Sequence, residues 1–145
     1  MIDGILYGLE TALSLHNLIW IIIGCSAGTL IGMMPGLGPI TAIALMIPIS
    51  YSIDPAGGLI MMAGVYYGAV FGGSTSAILI NAPGVASTVA TSFDGYQMTQ
   101  SGKAGKALTI AAYSSFLGGV TSALILVFTA STIASIALYI QSPEY

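Results

Sequence analysis

Two short polar segments interrupt otherwise apolar sequence: PGLGP at residues 35–39, and a second that begins with GGSTS at residues 72–76 and ends with NAPG at residues 81–84. Proline lacks an amide hydrogen and glycine tolerates unusual backbone angles, so helices end at such places and leave backbone groups unpaired. At membrane depth, unpaired backbone groups are tolerated only where they are buried in protein or line a watery cavity. The two interruptions therefore indicate a binding site for a solute.

The chemistry available at these interruptions is hydrogen bonding without a charged side chain. Helices that begin after Pro39 and after Gly73 would aim their N-terminal amides into the breaks, where an anion is favoured, and unwound carbonyls would coordinate a cation. Hydroxyl groups and one side-chain amide add donors and acceptors. Residues 74–76 have an alternative role as helix N-caps, which uses the same hydrogens. The predicted binding residues are Pro35, Gly36, Leu37, Gly38, Thr41, Gly73, Ser74, Thr75, Ser76, Asn81 and Gly84.

Glycines at every fourth position precede both interruptions. This spacing places each set on one face of a helix, where a neighbouring backbone can approach closely. Helix packing explains these glycines by itself, because such ladders are common in membrane helices. The predicted packing glycines are Gly24, Gly28 and Gly32 in the first ladder and Gly64, Gly68 and Gly72 in the second.

Composition requires that the elements carrying these residues lie in a lipid bilayer. Of 145 residues, 56% are hydrophobic and 5% are charged, whereas a soluble domain carries about 25% charged residues. The net charge of −3 without a basic patch excludes a nucleic-acid-binding protein. The single cysteine, Cys25, allows neither a disulfide within the chain nor a multi-cysteine metal site. Acidic residues near the start, where a signal peptide is basic, predict that the start is retained.

Enzymatic motifs fit the sequence poorly. The stretch SGKAGKA has Gln100 where a phosphate loop needs its first glycine and Ala107 where it needs Ser or Thr. Ser74 is a conceivable intramembrane nucleophile, but the one histidine, His16, belongs to the predicted opening helix. Near Trp20 and without a second histidine to share a metal, His16 is expected to be an interfacial residue. We therefore expect no catalytic activity, no metal and no cofactor.

Hydropathy predicts an all-α membrane protein, a polytopic helical bundle with broken or re-entrant helices. Residues 18–34 are just long enough to cross about 30 Å of hydrocarbon, whereas residues 40–53 are too short and predict a half-helix. Both lysines lie in residues 94–106, which favours the cytoplasmic side for that segment. The predicted elements are an interfacial helix at 1–17, a span at 18–34, a broken half-helix at 35–53, a span at 56–73, a broken helix at 74–93, a polar loop at 94–106, a span at 107–130 and a second interfacial helix at 131–142.

Over essentially the whole chain, the sequence resembles the large membrane subunit of the tripartite tricarboxylate transporters. The resemblance rests on GTLIGMMPGLGPITAIALMIPISYSIDP at residues 28–55, GVYYGAVFGGSTSAILINAPG at residues 64–84 and FDGYQMTQSGKAGKAL at residues 93–108. The family's first motif matches residues 35–39. Its second motif matches residues 72–75 together with Asn81, Pro83 and Gly84, while Ser76 and Ala82 stand at variable positions inside it.

This resemblance implies a multi-pass protein of the bacterial inner membrane that transports carboxylates and is driven by an ion gradient, with sodium or a proton as the coupling cation. It implies two partners, a small membrane subunit and a periplasmic solute-binding protein that delivers the substrate. It also implies an inverted-repeat architecture, with a transport domain that moves as an elevator and a midplane site formed between two halves. Because family members are much longer, the chain corresponds to the N-terminal portion, one half of such a transporter, and the missing C-terminal half is expected as a further partner.

Two other interpretations remain open at this stage. In one, the chain is a membrane scaffold or assembly protein whose glycine ladders serve helix packing alone. In the other, it is the non-functional remnant of a truncated transporter. Neighbouring genes for the missing half, for a small membrane protein and for a secreted binding protein would favour transport.

Overall fold

The structure, a computed structural model, describes residues 2–139 and confirms the predicted all-α class. The described part contains six α-helices and one short 3-10 helix, and it has no strand. The chain divides into a first unit that runs to Thr109 and a second unit that begins at Ile110. The helices are α1 (Ile2–Ala12), α2 (Leu15–Gly32), α3 (Pro39–Ser50), α4 (Pro55–Ile80), the 3-10 helix (Ala86–Thr88), α5 (Val89–Gln100) and α6 (Ala104–Tyr139).

Three of the described helices are long and apolar enough to cross a membrane. They are α2, α4 and the Ala104–Ala130 part of α6. At 1.5 Å per residue, the 26 residues of α4 extend about 39 Å, which exceeds the roughly 30 Å of hydrocarbon in a bilayer. The second predicted span is therefore longer than its predicted range of residues 56–73.

Helices α2 and α4 pack against each other in parallel, with backbone touching backbone. The three glycines of α2 face three successive turns of α4, and each pair is separated by the same number of residues along the chain, which is the signature of parallel packing. A side chain on any of these glycines would overlap a carbonyl oxygen of α4. The pairs are Gly24 with Met61, Gly28 with Val65 and Gly32 with Ala69.

The glycines of α4 make the reciprocal contacts on α2. A Cβ atom at Gly64 would lie 2.8 Å from the carbonyl oxygen of Ile21, and Gly68 and Gly72 press in the same way on the carbonyls of Cys25 and Thr29. Backbones this close attract each other by dispersion and form weak Cα–H···O contacts, here from Ile21 to Gly32 of α2. The two predicted ladders thus meet in one contact, which we call the glycine seam.

Helix α3 returns the chain from the end of α2 to the level of its beginning. At one end, Gly38 lies beside Val85, whose neighbour Gly84 touches the last residue of α2. At the other end, the carbonyl oxygen of Ser50 would lie 3.3 Å from a Cβ atom on Gly58, in the first turns of α4. Helix α3 has 12 residues, about 18 Å, so it is too short to cross the hydrocarbon by itself, and the chain is non-helical at residues 33–38 and 51–54 on either side of it. The buried core beneath α3 comprises Ala42, Met46, Met61, Val65 and Ala69.

The opening helix ends earlier than predicted. Helix α1 stops at Ala12 because Ser14 begins a new helix, accepting the backbone N–H of Asn17 on its side-chain oxygen at 3.4 Å. His16 and Asn17, placed by the sequence in the interfacial helix, therefore belong to the first turn of α2.

The predicted polar loop at residues 94–106 is also wrong over most of its length. Helix α5 continues to Gln100 because its polar side chains find partners: the Thr99 hydroxyl donates to the Ile78 carbonyl at 2.8 Å, and Gly95 packs on the Ile78 side chain. The actual turn is residues 101–103, where Gly102 has a φ of 72° and ends the helix.

The predicted change from a span to an interfacial helix at residue 131 is likewise not seen. Helix α6 is continuous to Tyr139, and the last predicted residues of that interfacial helix, 140–142, lie outside the described residues. Hydroxyls within α6 donate to carbonyls of the preceding turn, as Thr129 does to Ile125 at 2.8 Å, so polar residues do not interrupt the helix.

Candidate functional site

The two interruptions of the sequence come together in space at the end of α2. Gly84, in the second interruption, lies so close to Gly32 that a Cβ atom on it would be 2.5 Å from the Gly32 carbonyl oxygen and 3.0 Å from the Cα of Gly73. A Cβ atom on Gly38, in the first interruption, would lie 3.2 Å from a methyl carbon of Val85. We call this meeting point the glycine junction. Predicted site residues far apart in the sequence, Gly38, Gly73 and Gly84, are neighbours there.

The first interruption is a tight turn followed by the start of α3. Gly36 has a φ of 84°, in the left-handed region that favours glycine, and the Leu37 N–H donates to the Met34 carbonyl at 3.1 Å. Pro35 and Gly36 are exposed, while Leu37 and Gly38 are half-buried. Pro39 occupies the first helical position, where its missing N–H leaves no bond unmade.

The N-terminus of α3 carries donors that the fold does not use. The first helical hydrogen bond at this end is donated by the Ala42 N–H to the Gly38 carbonyl at 3.1 Å. The backbone N–H groups of Ile40 and Thr41 precede it and therefore have no acceptor within the helix. The half-buried Thr41 hydroxyl makes no hydrogen bond within the part of the chain that the structure describes. Amides at a helix N-terminus carry partial positive charge, so this end of α3 suits a carboxylate.

The second interruption differs from the prediction, because no helix begins after Gly73. Helix α4 runs through residues 74–76, and each of their hydroxyls donates to a carbonyl of its own helix: Ser74 to Val70 at 3.2 Å, Thr75 to Phe71 at 3.0 Å and Ser76 to Gly73 at 3.1 Å. The N-cap role proposed for these residues is therefore wrong, and no N-terminal amides point into the break from this position. Their oxygens keep lone pairs and can still accept a hydrogen bond or coordinate a cation.

Helix α4 ends at Asn81, which adopts a left-handed conformation with φ 54° and ψ 34°. Asparagine tolerates this conformation better than most residues, and the Asn81 N–H caps the helix by donating to the Ser76 carbonyl. Pro83, which cannot continue a helix, follows. The exposed Asn81 side chain makes no hydrogen bond to the rest of the described chain.

Sequence reasoning missed Val85 and Thr88. Val85 packs on both Gly38 and Gly73. Thr88, which is buried, donates through its hydroxyl to the Val85 carbonyl at 2.8 Å and accepts the Val85 N–H at 3.4 Å. These bonds hold the 3-10 turn between the interruption and α5. The signal was a Ser-Thr pair just after Pro-Gly, a composition typical of a turn.

A family model matches most of the chain. The model of the tripartite tricarboxylate transporter TctA family matches residues 18–145, a range that contains the glycine seam and both interruptions. The chain belongs to the TctA family. Family membership together with the three apolar helices makes it a membrane protein.

A relative covers the whole chain. An uncharacterised 52.8 kDa protein in the TAR-I ttuC' 3' region of Agrobacterium vitis is 47% identical over 145 residues, which are 100% of this chain and 29% of the relative. The chain thus spans less than a third of the length of that relative. No solved structure matches the chain significantly.

Proposed function

We propose that the chain forms part of the large membrane subunit of a tripartite carboxylate transporter in a bacterial inner membrane, where an ion gradient drives uptake. The proposal rests on the glycine junction, at which two chain breaks meet beside unused hydrogen-bond donors. Family membership supports the transporter class. The chain contributes half of the substrate site, near the middle of the membrane, and the other half comes from sequence that this chain does not contain.

The carboxylate is held by dipoles and hydroxyls of this half, because the chain has no arginine. Three donors close to Gly38 along the chain have no partner among the described residues. They are the backbone N–H groups of Ile40 and Thr41 and the Thr41 hydroxyl. Such neutral donors bind an anion in a water-poor site without a permanent positive charge, which suits a substrate that must be released again.

A coupling cation, sodium or a proton, is bound by acceptors on the other side of the junction. The hydroxyl hydrogens of Ser74, Thr75 and Ser76 already bond to carbonyls of α4, so their oxygens are available as acceptors only. Oxygen ligands of this kind coordinate hard cations. In this proposal the donors on α3 bind the carboxylate, and the acceptors on α4 bind the cation.

The proposed partners follow from the architecture of the family. The missing C-terminal part of the large subunit completes the site, a small membrane subunit accompanies it, and a periplasmic solute-binding protein delivers the carboxylate. This chain alone then carries out no transport, because sites in inverted-repeat transporters form between the two halves.

The test of this function is uptake of radiolabelled citrate and succinate into membrane vesicles. The chain alone is compared with the chain expressed together with the remaining part of the subunit, the small subunit and purified binding protein. Gradient-dependent uptake in the complete set alone supports the proposal. Absence of uptake in both sets, while a full-length family member transports the same substrates in parallel, argues for a scaffold or a remnant.

The cation assignment has its own test in the complete transporter. Changing Ser74 and Thr75 together to alanine removes two acceptor oxygens, and we expect the concentration of the coupling ion that gives half-maximal uptake to rise by roughly tenfold. Ser101→Ala is the matched control, because its hydroxyl bonds to the Gln97 carbonyl in the same way but lies in the exposed turn after α5. If the double alanine variant keeps the substrate affinity and the ion dependence of the unchanged transporter, neither Ser74 nor Thr75 belongs to the site.

A further inference from the structure

The opposite end of the α2 and α4 pair holds the only ion pair among the described residues. His16, in the first turn of α2, approaches Asp54, the N-cap of α4, with Nε2 lying 3.1 Å from Oδ1. The other carboxylate oxygen of Asp54 accepts the Gly57 N–H at 2.9 Å. One carboxylate therefore both caps α4 and contacts the imidazole of α2.

The same nitrogen of His16 has a second partner. The indole N–H of Trp20 points at Nε2 from 3.1 Å, and the two rings meet edge to face. A ring nitrogen carries either a hydrogen or a lone pair. Nε2 accepts from Trp20 when it is unprotonated and donates to Asp54 when it is protonated, so the two hydrogen bonds exclude each other.

The surroundings of Asp54 favour added positive charge. Asn17 is buried, and its Oδ1 has no hydrogen-bond partner among the described residues. That oxygen and the Asp54 Oδ1 lie 3.1 Å and 2.8 Å from one point, the position of a Cβ atom on Gly57. Both oxygens therefore lie near the first turn of α4, and Asp54 Oδ1, which is 3.1 Å from Nε2, attracts a proton on His16.

Other titratable groups at this end do not touch His16. Helix α1, which packs on α2, contributes the exposed Tyr7 and Glu10, and the turn after α3 contributes the exposed Tyr51. Among the described side chains, Asp54 is the charged group within ion-pair distance of His16.

We propose that His16, Trp20 and Asp54 form a proton-binding site that joins the first turns of α2 and α4. When the neutral ring carries its hydrogen on Nδ1, a proton taken up on Nε2 of His16 moves the Nε2 hydrogen bond from the Trp20 indole to the Asp54 carboxylate, and the indole N–H is released. Loss of the proton reverses the exchange. This site is independent of the transport function proposed above, since it lies at the end of the pair away from the glycine junction.

The experiment is a pH titration of the 145-residue chain in detergent micelles. Trp20 is the one tryptophan of the chain, so its fluorescence and its indole N–H resonance in a nitrogen-15 NMR spectrum report this site alone. Between about pH 8 and pH 5, the interval in which histidines titrate, we expect fluorescence to fall and the indole resonance to shift. A signal that does not change over this interval overturns the proposal.

Three variants separate the site from general pH effects. His16→Gln keeps a polar side chain but does not titrate, and we expect the transition to disappear. Asp54→Asn retains a good N-cap and loses the charge, so the midpoint moves to lower pH. Glu10→Gln removes an exposed acid that makes no contact with His16 and leaves the midpoint unchanged. A transition that persists in His16→Gln, or an unchanged midpoint in Asp54→Asn, refutes the assignment.

Discussion

Gly84 lies against Gly32 at a distance that leaves no room for a side chain on Gly84. A Cβ atom on Gly84 would sit 2.5 Å from the Gly32 carbonyl oxygen, although the two glycines belong to the second interruption and to the last turn of α2. The same Gly32 closes the glycine seam against Ala69. The position of the proposed site is therefore set by the packing of α2 on α4, and damage to the seam should propagate to the junction.

The first prediction concerns the seam. Gly28→Ala would place a methyl group on the Val65 carbonyl oxygen, and because backbone cannot move aside as a side chain does, we expect a loss of about 1–3 kcal/mol in stability. Thermal unfolding in detergent, followed by circular dichroism, measures the change. Gly118→Ala in α6 is the control: nothing lies within 4 Å of its Cβ position, so alanine should be neutral or stabilising by up to about 1 kcal/mol. Equal melting temperatures for the two variants would contradict close packing at Gly28.

The second prediction separates two roles of Asn81, the helix stop and the binding of substrate. Asn81→Gly keeps the left-handed backbone and removes the side-chain amide, whereas Asn81→Ala also strains the backbone by about 1 kcal/mol. If the amide binds substrate, both variants raise KM for uptake by the complete transporter roughly tenfold. If Asn81 only ends α4, Asn81→Gly transports like the unchanged protein and Asn81→Ala alone loses stability. We expect the first outcome, because the Asn81 amide is exposed at the break.

The third prediction concerns Thr41. Thr41→Val retains the shape and removes the hydroxyl, and we expect a roughly tenfold rise in KM for the carboxylate with little change in melting temperature, since this hydroxyl has no partner among the described residues. Thr41→Ser keeps the hydroxyl and should restore most of the affinity. A Thr41→Val variant with unchanged KM would place the carboxylate elsewhere.

The fourth prediction is a stability that depends on acid pH through Asp54. The Gly57 N–H that donates to this carboxylate, and His16 beside it, hold the pKa of Asp54 below its ordinary value of 3.8. A lowered folded-state pKa means that the stabilisation is fully present above the unfolded value and is lost as pH falls through the folded value. We therefore expect the melting temperature to decrease below about pH 4.

The control for this acid effect is Asp54→Asn, which keeps an N-cap oxygen but cannot be protonated in that range. Its melting temperature should fall less steeply than that of the unchanged chain over the same interval. Parallel decreases in both proteins would assign the acid sensitivity to other carboxyl groups.

Much of the architecture could be predicted from local sequence. The scarcity of charge requires a lipid environment, and long apolar runs correctly indicated three helices able to cross it. The spacing of the glycines by four correctly indicated faces for close packing, because helical periodicity is a property of consecutive residues. The Pro-Gly pairs marked the places where the chain leaves α2 and α4.

Other features differed from what the preferences of individual residues predicted. Residues 74–76 looked like the start of a helix because Ser and Thr favour N-caps, but their hydroxyls satisfy carbonyls of the preceding turn and α4 continues. Residues 94–100 looked like a loop, yet Gly95 and Thr99 dock on Ile78 and keep the segment helical. At residues 94–100, tertiary contact overrides a weak local preference, whereas at residues 74–76 the deciding hydrogen bonds lie within α4 itself.

The sequence by itself determined that this is an all-α membrane protein with two glycine faces and two breaks, because composition, periodicity and helix-breaking residues are local properties. Only the tertiary structure decided that the two glycine faces form one seam, that α3 runs back beside it, and that Gly38, Gly73 and Gly84 meet. The physical reason is that a glycine face specifies close approach but not its partner, and the partner is chosen by the shape of the whole packed chain.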